Sequence, residues 1–283
     1  MSRIVYVNGE YLPEEEAKVS VFDRGFLMAD GVYEVTTVID GRLIDFDGHA
    51  ARLVRSLTEL EMANPVTRDE LLEIHRELVR RNDLIEGMIY LQITRGVADR
   101  EFTYPEDAAP TVVLFTQARG LVDSPAAARG IAVISIPDLR WRRRDIKTVQ
   151  LLYPSMGKMA AVKAGANDAW MVENGFVTEG TSNNAHIVKD GRIITRNLSN
   201  DILHGITRAT VLKFAREAQM EVEERPFTLE EAKEADEAFV TSASTFVTPV
   251  VKIDETAIGG GAPGPVAKRL REIYLDETRK AAI

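Results

Sequence analysis

The sequence predicts an α+β protein of two domains. Three observations predict it. Four hairpin signals fall in an early pair and a late pair, helical patterns fill the spaces between them, and one central stretch loses periodicity and gains small residues. The first hairpin joins Ile4–Val7 to Tyr11 through Asn8-Gly9, and the second joins Glu34–Ile39 to Leu43–Phe46 through Asp40-Gly41. The third and fourth turn at Asn174-Gly175 and Asp190-Gly191. Asn-Gly and Asp-Gly accept positive φ at both central positions, as type I′ turns require.

The helices follow from spacing and caps. Residues 47–62 place Leu53, Leu57 and Leu60 on one face. Thr67-Arg68-Asp69-Glu70 is a capping box ahead of Leu71, Ile74 and Leu78, and Thr228 opens a later helix in the same way. Helical patterns also cover about 208–219 and 265–280. Strands are expected at 88–94, 111–116, 131–136 and 238–241. The aperiodic stretch suggests a first domain over 1–116, a linker over 117–129 and a larger strand-rich domain over 130–283.

Composition narrows the function. The 283 residues carry a net charge of −9, a poor match to nucleic acid or an anionic membrane surface. Cysteine is absent, which excludes disulfides, thiolate metal sites and a cysteine nucleophile, and fits a cytoplasmic protein. No apolar run approaches membrane-spanning length, and the first residues show no signal-peptide pattern. The four histidines, at 49, 75, 186 and 204, have no metal-ligand spacing. Gly259–Gly261 lacks the Lys-Ser/Thr ending of a phosphate-binding P-loop and reads as a turn before the last helix.

Five segments can carry chemistry. Lys147 follows Arg142-Arg143-Arg144-Asp145-Ile146. This is a solvated basic run or an amine whose cationic neighbours favour its nucleophilic form. Thr178-Glu179-Gly180-Thr181-Ser182-Asn183-Asn184 packs a carboxylate, hydroxyls and amides into seven positions. It is a polar loop, or a ligand loop in which Glu179 pairs with a ring nitrogen. Leu203-His204-Gly205-Ile206-Thr207-Arg208 opens a helix whose first N–H groups suit a phosphate or need only an ordinary cap. Thr241–Thr245 is a second hydroxyl-rich turn. Asp30–Val35 reads as the start of a strand with Tyr33 on one face.

Together and in this order, these segments resemble the class IV (fold-type IV) pyridoxal-phosphate (PLP)-dependent aminotransferases. Asp23-Arg24-Gly25 with Asp30-Gly31-Val32-Tyr33-Glu34, then Asp145-Ile146-Lys147, Glu179-Gly180-Thr181-Ser182-Asn183 and Gly205-Ile206-Thr207-Arg208 carry the resemblance. It implies a smaller α/β N-terminal domain and a larger strand-rich pseudo-barrel that binds PLP. Lys147 is then the Schiff-base lysine and the proton-transfer base. Glu179 pairs with the pyridine nitrogen and Leu203 packs on the ring. Arg52, Ile206, Thr207 and Ser242 hold the phosphate, with Thr181 and Ser182 lining the site. The family has Thr where this chain has Ala243.

The wording Asp30-Gly31-Val32-Tyr33-Glu34-Val35 is most similar to the D-amino-acid aminotransferases. By that likeness Tyr33 and Arg100 bind the substrate carboxylate. Phe102 stands where that subgroup has His, and a phenyl ring donates no hydrogen bond to a carboxylate. The resemblance thus implies transamination between a D-amino acid, such as D-alanine or D-glutamate, and a 2-oxo acid, in a homodimer without metal. The alternatives are transamination of branched-chain L-amino acids or (R)-amines, and less closely aminodeoxychorismate lyase activity or PLP binding without catalysis.

Overall fold

The computed structural model describes residues 2–283. In chain order the elements are β1 (Ile4–Val7), β2 (Glu10–Pro13), α1 (Arg24–Met28), β3 (Gly31–Ile39), β4 (Arg42–Ile44), α2 (Phe46–Glu59), α3 (Arg68–Arg81), β5 (Gly87–Thr94) and β6 (Thr111–Ala118). The chain continues through α4 (Pro125–Arg129), β7 (Ile131–Pro137), α5 (Leu152–Lys163), β8 (Asp168–Glu173), β9 (Phe176–Gly180), β10 (Asn184–Lys189) and β11 (Arg192–Thr195). It ends with α6 (Ile206–Glu217), β12 (Val222–Glu224), α7 (Leu229–Lys233), β13 (Glu237–Ser242), β14 (Phe246–Ile253), β15 (Thr256–Ala257) and α8 (Pro265–Ala281).

Two compact units result. The first holds residues 1–120, 146–150 and 281–283; the second holds 121–145 and 151–280. A second domain unbroken from 130 to the end is expected from sequence, whereas the structure returns two short segments to the first unit. Residues 117–129 also carry more structure than a linker needs: β6 extends to Ala118 and α4 starts at Pro125.

The first unit is a six-stranded sheet in the order β2-β1-β6-β5-β3-β4. Its neighbouring strands are antiparallel. Alternation along the strands sends Val32, Ile89, Leu91, Ile93, Val112 and Leu114 to the face packed against the leucines of α2 and α3. The opposite face carries an aromatic row, with Tyr33 on Tyr90 at 5.6 Å and Tyr90 on Phe115 at 4.9 Å between ring centroids. The capping box forms as expected: Thr67 N–H donates to Glu70 and Glu70 N–H donates to Thr67 Oγ1.

The second unit is built on a mixed sheet ordered β12-β11-β10-β13-β14-β7-β8-β9. Its core gathers Trp170, Ile187, Phe227, Val240 and Val250. All four expected hairpin turns form, with positive φ at each Asn or Asp and at the following Gly. Pro249 lies within β14, paired with Phe239 of β13, where no strand is expected from sequence. No helix among the described residues is long and apolar enough to cross a membrane.

Candidate active site

Lys147 sits on a short segment that completes the first sheet. Tyr33 N–H donates to Lys147 O at 3.0 Å, and Val149 N–H donates to Gly31 O at 3.1 Å. Thr148 bridges Val32. The segment thus borders the start of β3 where β4, paired only to Thr37–Ile39, does not reach. Lys147 N–H meets Ser56 Oγ of α2 at 3.4 Å, and Ile146 is buried in the helix-side core. Only the lysine side chain is left to move. Its Nζ lies 4.1 Å from the centre of the Tyr33 ring. The preceding arginines do not form a free cationic run: Arg143 pairs with Asp145 and Arg144 with Glu173.

On the helix side of β3, Glu34 organises Arg52. Arg52 Nε donates to Glu34 Oε1 and Nη2 to Oε2, both at 2.7 Å. His49, one turn earlier on α2, meets the same carboxylate at 2.8 Å. Burial raises the Glu34 pKa, but the Arg52 charge and hydrogen bonds outweigh it and hold the carboxyl well below its usual range. Sequence reading finds Arg52 and misses the Glu34–His49 support, because nothing local ties residue 34 to residues 49 and 52.

In the second unit, Glu179 lies one residue before the end of β9, in a buried polar cluster. Its Oε1 accepts from Arg140 Nη1 at 2.6 Å. Its Oε2 accepts from Asn184 Nδ2 and from Leu203 N–H, each at 3.0 Å. Asn184 also donates to Leu203 O at 2.9 Å, so one amide ties the carboxylate to the turn before α6. Burial pushes the Glu179 carboxyl above its usual range, and the Arg140 charge offsets part of that rise. Neither Arg140 nor Asn184 receives a role from sequence, although Asn184 lies in the segment singled out.

The remaining expected ligands divide. Ile206 and Thr207 open the twelve-residue α6, and its N-cap Gly205 provides no side-chain cap. The first N–H groups of this helix therefore point outward without an intrahelical acceptor. Gly205 is required by close approach: a Cβ there would collide with Asn184 Oδ1. Ser242 ends β13, its hydroxyl 2.8 Å from Thr245 Oγ1 and 3.3 Å from Ser244 Oγ. Ala243 follows it in the same turn. Thr181 is buried and its hydroxyl donates to Asp168 at 2.5 Å, with Asn183 donating to the other oxygen at 2.7 Å. These bonds fasten the turn to β8. Ser182 is exposed between them.

Arg100 and Phe102 lie on an exposed loop of the first unit, the guanidinium 5.6 Å from the ring centre. Phe102 is 76% exposed, so it lines no apolar pocket within the unit. The loop is anchored by Arg24. This buried side chain donates to Asp30 at 2.7 Å, to Glu101 O at 2.6 Å and to Thr103 O at 3.4 Å. Arg95 joins Asp30 at 2.8 Å and stacks over Tyr104.

This chemistry fits PLP. An amine without a carboxylate partner among the described residues, a buried ionisable carboxylate held by oriented donors, and an uncapped helix start match its carbonyl, ring nitrogen and phosphate. Comparison with known proteins agrees. The family model for class IV aminotransferases matches residues 31–253. A D-alanine aminotransferase of Staphylococcus haemolyticus is 40% identical over 271 residues, covering 95% of each chain. One from Bacillus licheniformis is 39% identical over 282 residues, covering 98% of this chain and 99% of its own. Among solved structures, a branched-chain amino acid aminotransferase from Thermoproteus uzoniensis with norvaline superposes with a TM-score of 0.87 at 27% identity, covering 97% and 94% of the two chains. The chain belongs to the class IV aminotransferases and is a PLP-dependent transaminase.

Proposed function

We propose that this enzyme transfers the amino group between a D-amino acid, such as D-alanine or D-glutamate, and a 2-oxo acid. The full-length likeness to D-alanine aminotransferases, at 39% and 40% identity, carries the choice of substrate. Bound PLP supplies an electrophilic carbonyl and a ring that accepts an electron pair. Lys147 Nζ would hold the cofactor and move the proton at the substrate α-carbon. Its backbone, fixed against β3, aims the amine while the four-carbon stem moves. The Glu179 carboxylate would keep a proton at the ring nitrogen, and the half-buried Leu203 side chain would pack on the ring. Arg52, oriented by Glu34, binds the phosphate with the N–H groups of Ile206 and Thr207 and the Ser242 turn. Thr181 and Ser182 shape the turn after Glu179. Tyr33 and Arg100 bind the substrate carboxylate, with Phe102 beside Arg100 in place of a hydrogen-bond donor.

The reading includes a homodimer and a cytoplasmic location. The outer face of α5 exposes Leu152, Met156, Met159 and Val162, an apolar stripe suited to burial by a second subunit. Sedimentation velocity measures the oligomeric state. The substrate test is a half-reaction on the PLP-loaded protein, following loss of the visible cofactor band. D-Alanine and D-glutamate are expected to bleach the band faster than L-leucine or (R)-1-phenylethylamine. Faster bleaching by L-leucine or the amine overturns the D-amino-acid assignment. A Lys147→Ala variant that bleaches like the parent overturns the role of Lys147.

A further inference from the structure

Arg140 is held more firmly than a single ion pair requires. Its Nε and Nη2 grip both oxygens of Asp138 at 2.9 and 2.7 Å, and its backbone N–H reaches the same carboxylate at 3.2 Å. This fork leaves Nη1 aimed at Glu179 Oε1, 2.6 Å away. Asp138 is itself fixed. Thr178, the residue before Glu179 on β9, donates to it at 2.6 Å, and Arg144 Nη1 lies 3.4 Å from it. The side chains of Asp138, Arg140 and Glu179 are 0%, 13% and 5% exposed.

The other two donors to Glu179, Asn184 and the Leu203 amide, are neutral. A buried carboxylate tends to take up a proton unless a charge compensates it. Arg140 supplies that charge. Its own guanidinium is held charged above its usual range by Glu179 and Asp138, against the cost of burial. The Asp138 charge works the other way on Glu179, and Arg140 lies between the two acids.

We propose that Arg140, locked by Asp138, is a positioning residue that keeps Glu179 ionised, so that the shared proton resides on the cofactor's ring nitrogen rather than on the carboxyl. The second half of this statement rests on the role proposed for Glu179; the first half concerns this chain alone. The two adjacent residues of β9 divide the work, with Thr178 holding the clamp and Glu179 receiving its charge. Without Arg140 the carboxyl is neutral, and the ring loses much of its capacity to accept electrons.

The test uses the full-length protein, stripped of cofactor and reloaded with PLP. In the stripped protein at pH 7, Arg140→Met is expected to show an infrared protonated-carboxyl band absent from the parent. Adding Glu179→Gln should remove it, which assigns the band. Arg140→Gln, which keeps hydrogen-bond donors without the charge, should show the same band and serves if the Met variant does not fold. Arg140→Lys should suppress it. In the loaded protein, the charge-free variants should lose kcat about tenfold with KM changed less than about threefold. The pH midpoint of the visible band should move by about one unit or more. A folded charge-free variant without the band overturns the proposal, as does a Lys variant showing it as strongly. If instead Glu179→Gln leaves the half-reaction unchanged, the ring-nitrogen role of Glu179 fails while the infrared result on Arg140 stands.

Discussion

Arg52 and Glu34 meet through two parallel hydrogen bonds of 2.7 Å, both side chains buried, and this pair fixes the direction of the guanidinium proposed to bind the phosphate. Removing the acid leaves a buried, uncompensated cation. Glu34→Ala is expected to destabilise the protein by about 3–5 kcal/mol. It should also weaken PLP retention, read by urea unfolding and by equilibrium dialysis. The Glu34 pKa is lowered on folding. Its stabilisation is therefore complete above the usual carboxylate range and is lost as pH falls below that range toward the folded value.

Gly205→Ala places a methyl where Asn184 Oδ1 stands. The glycine has a φ of −64°, which alanine accepts, so the conflict is with the amide and not with the backbone. Displacing Asn184 loosens both Glu179 and Leu203. A loss of about 1–3 kcal/mol in thermal unfolding is expected, with faster PLP dissociation. Asn184→Ala should reproduce the second effect. The double variant should cost less than the sum of the two single changes.

His75 gives the first unit a pH dependence. It is buried, between Thr36 Oγ1 at 3.3 Å and Leu71 O at 2.8 Å. Burial lowers its pKa to about 4. The unfolded chain therefore binds a proton that the folded chain refuses between its ordinary pKa of about 6.5 and that value. Stability present above the unfolded pKa is lost as pH falls. Between pH 8 and pH 5 the loss is about 2 kcal/mol from this group. His186, also lowered by burial, adds in the same direction. Urea midpoints at the two pH values measure the slope, and His75→Gln should reduce it.

Arg24→Met should free the loop that carries Arg100. Amides of residues 99–104 are expected to exchange faster with deuterium, because the carbonyls of Glu101 and Thr103 lose their anchor. The β3–β5 ladder should keep its protection. Equal protection in the loop would refute the anchoring role.

Local signals made much of the fold legible. Two turn residues specify each hairpin, and four consecutive residues specify the Thr67 capping box. The α5 helix was not legible because it shows the opposite pattern. Its apolar residues lie on the exposed side, and Pro154 and Gly157 interrupt the run. Strand β14 was hidden by Pro249, which removes a backbone donor and reads as a strand breaker. At the site, Lys147, Arg52 and Glu179 could be named because a resemblance supplied their roles. Their supports could not. Arg140 is 39 residues from Glu179, and Glu34 is 18 residues from Arg52. Such partners become neighbours only when the sheets form.

The return of residues 146–150 and 281–283 to the first unit has a consequence for biosynthesis. The first 120 residues leave the ribosome long before the lysine segment that borders β3. Leu43 must wait longer still, for it exchanges two backbone hydrogen bonds with Ile283. The first unit cannot be finished during translation of its own main stretch. A chain cut before residue 281 lacks part of that unit's hydrogen bonding, whatever else it has folded. Completion of the amino-terminal unit thus waits for residues 146–150 and 281–283, and no single cut separates the two units intact.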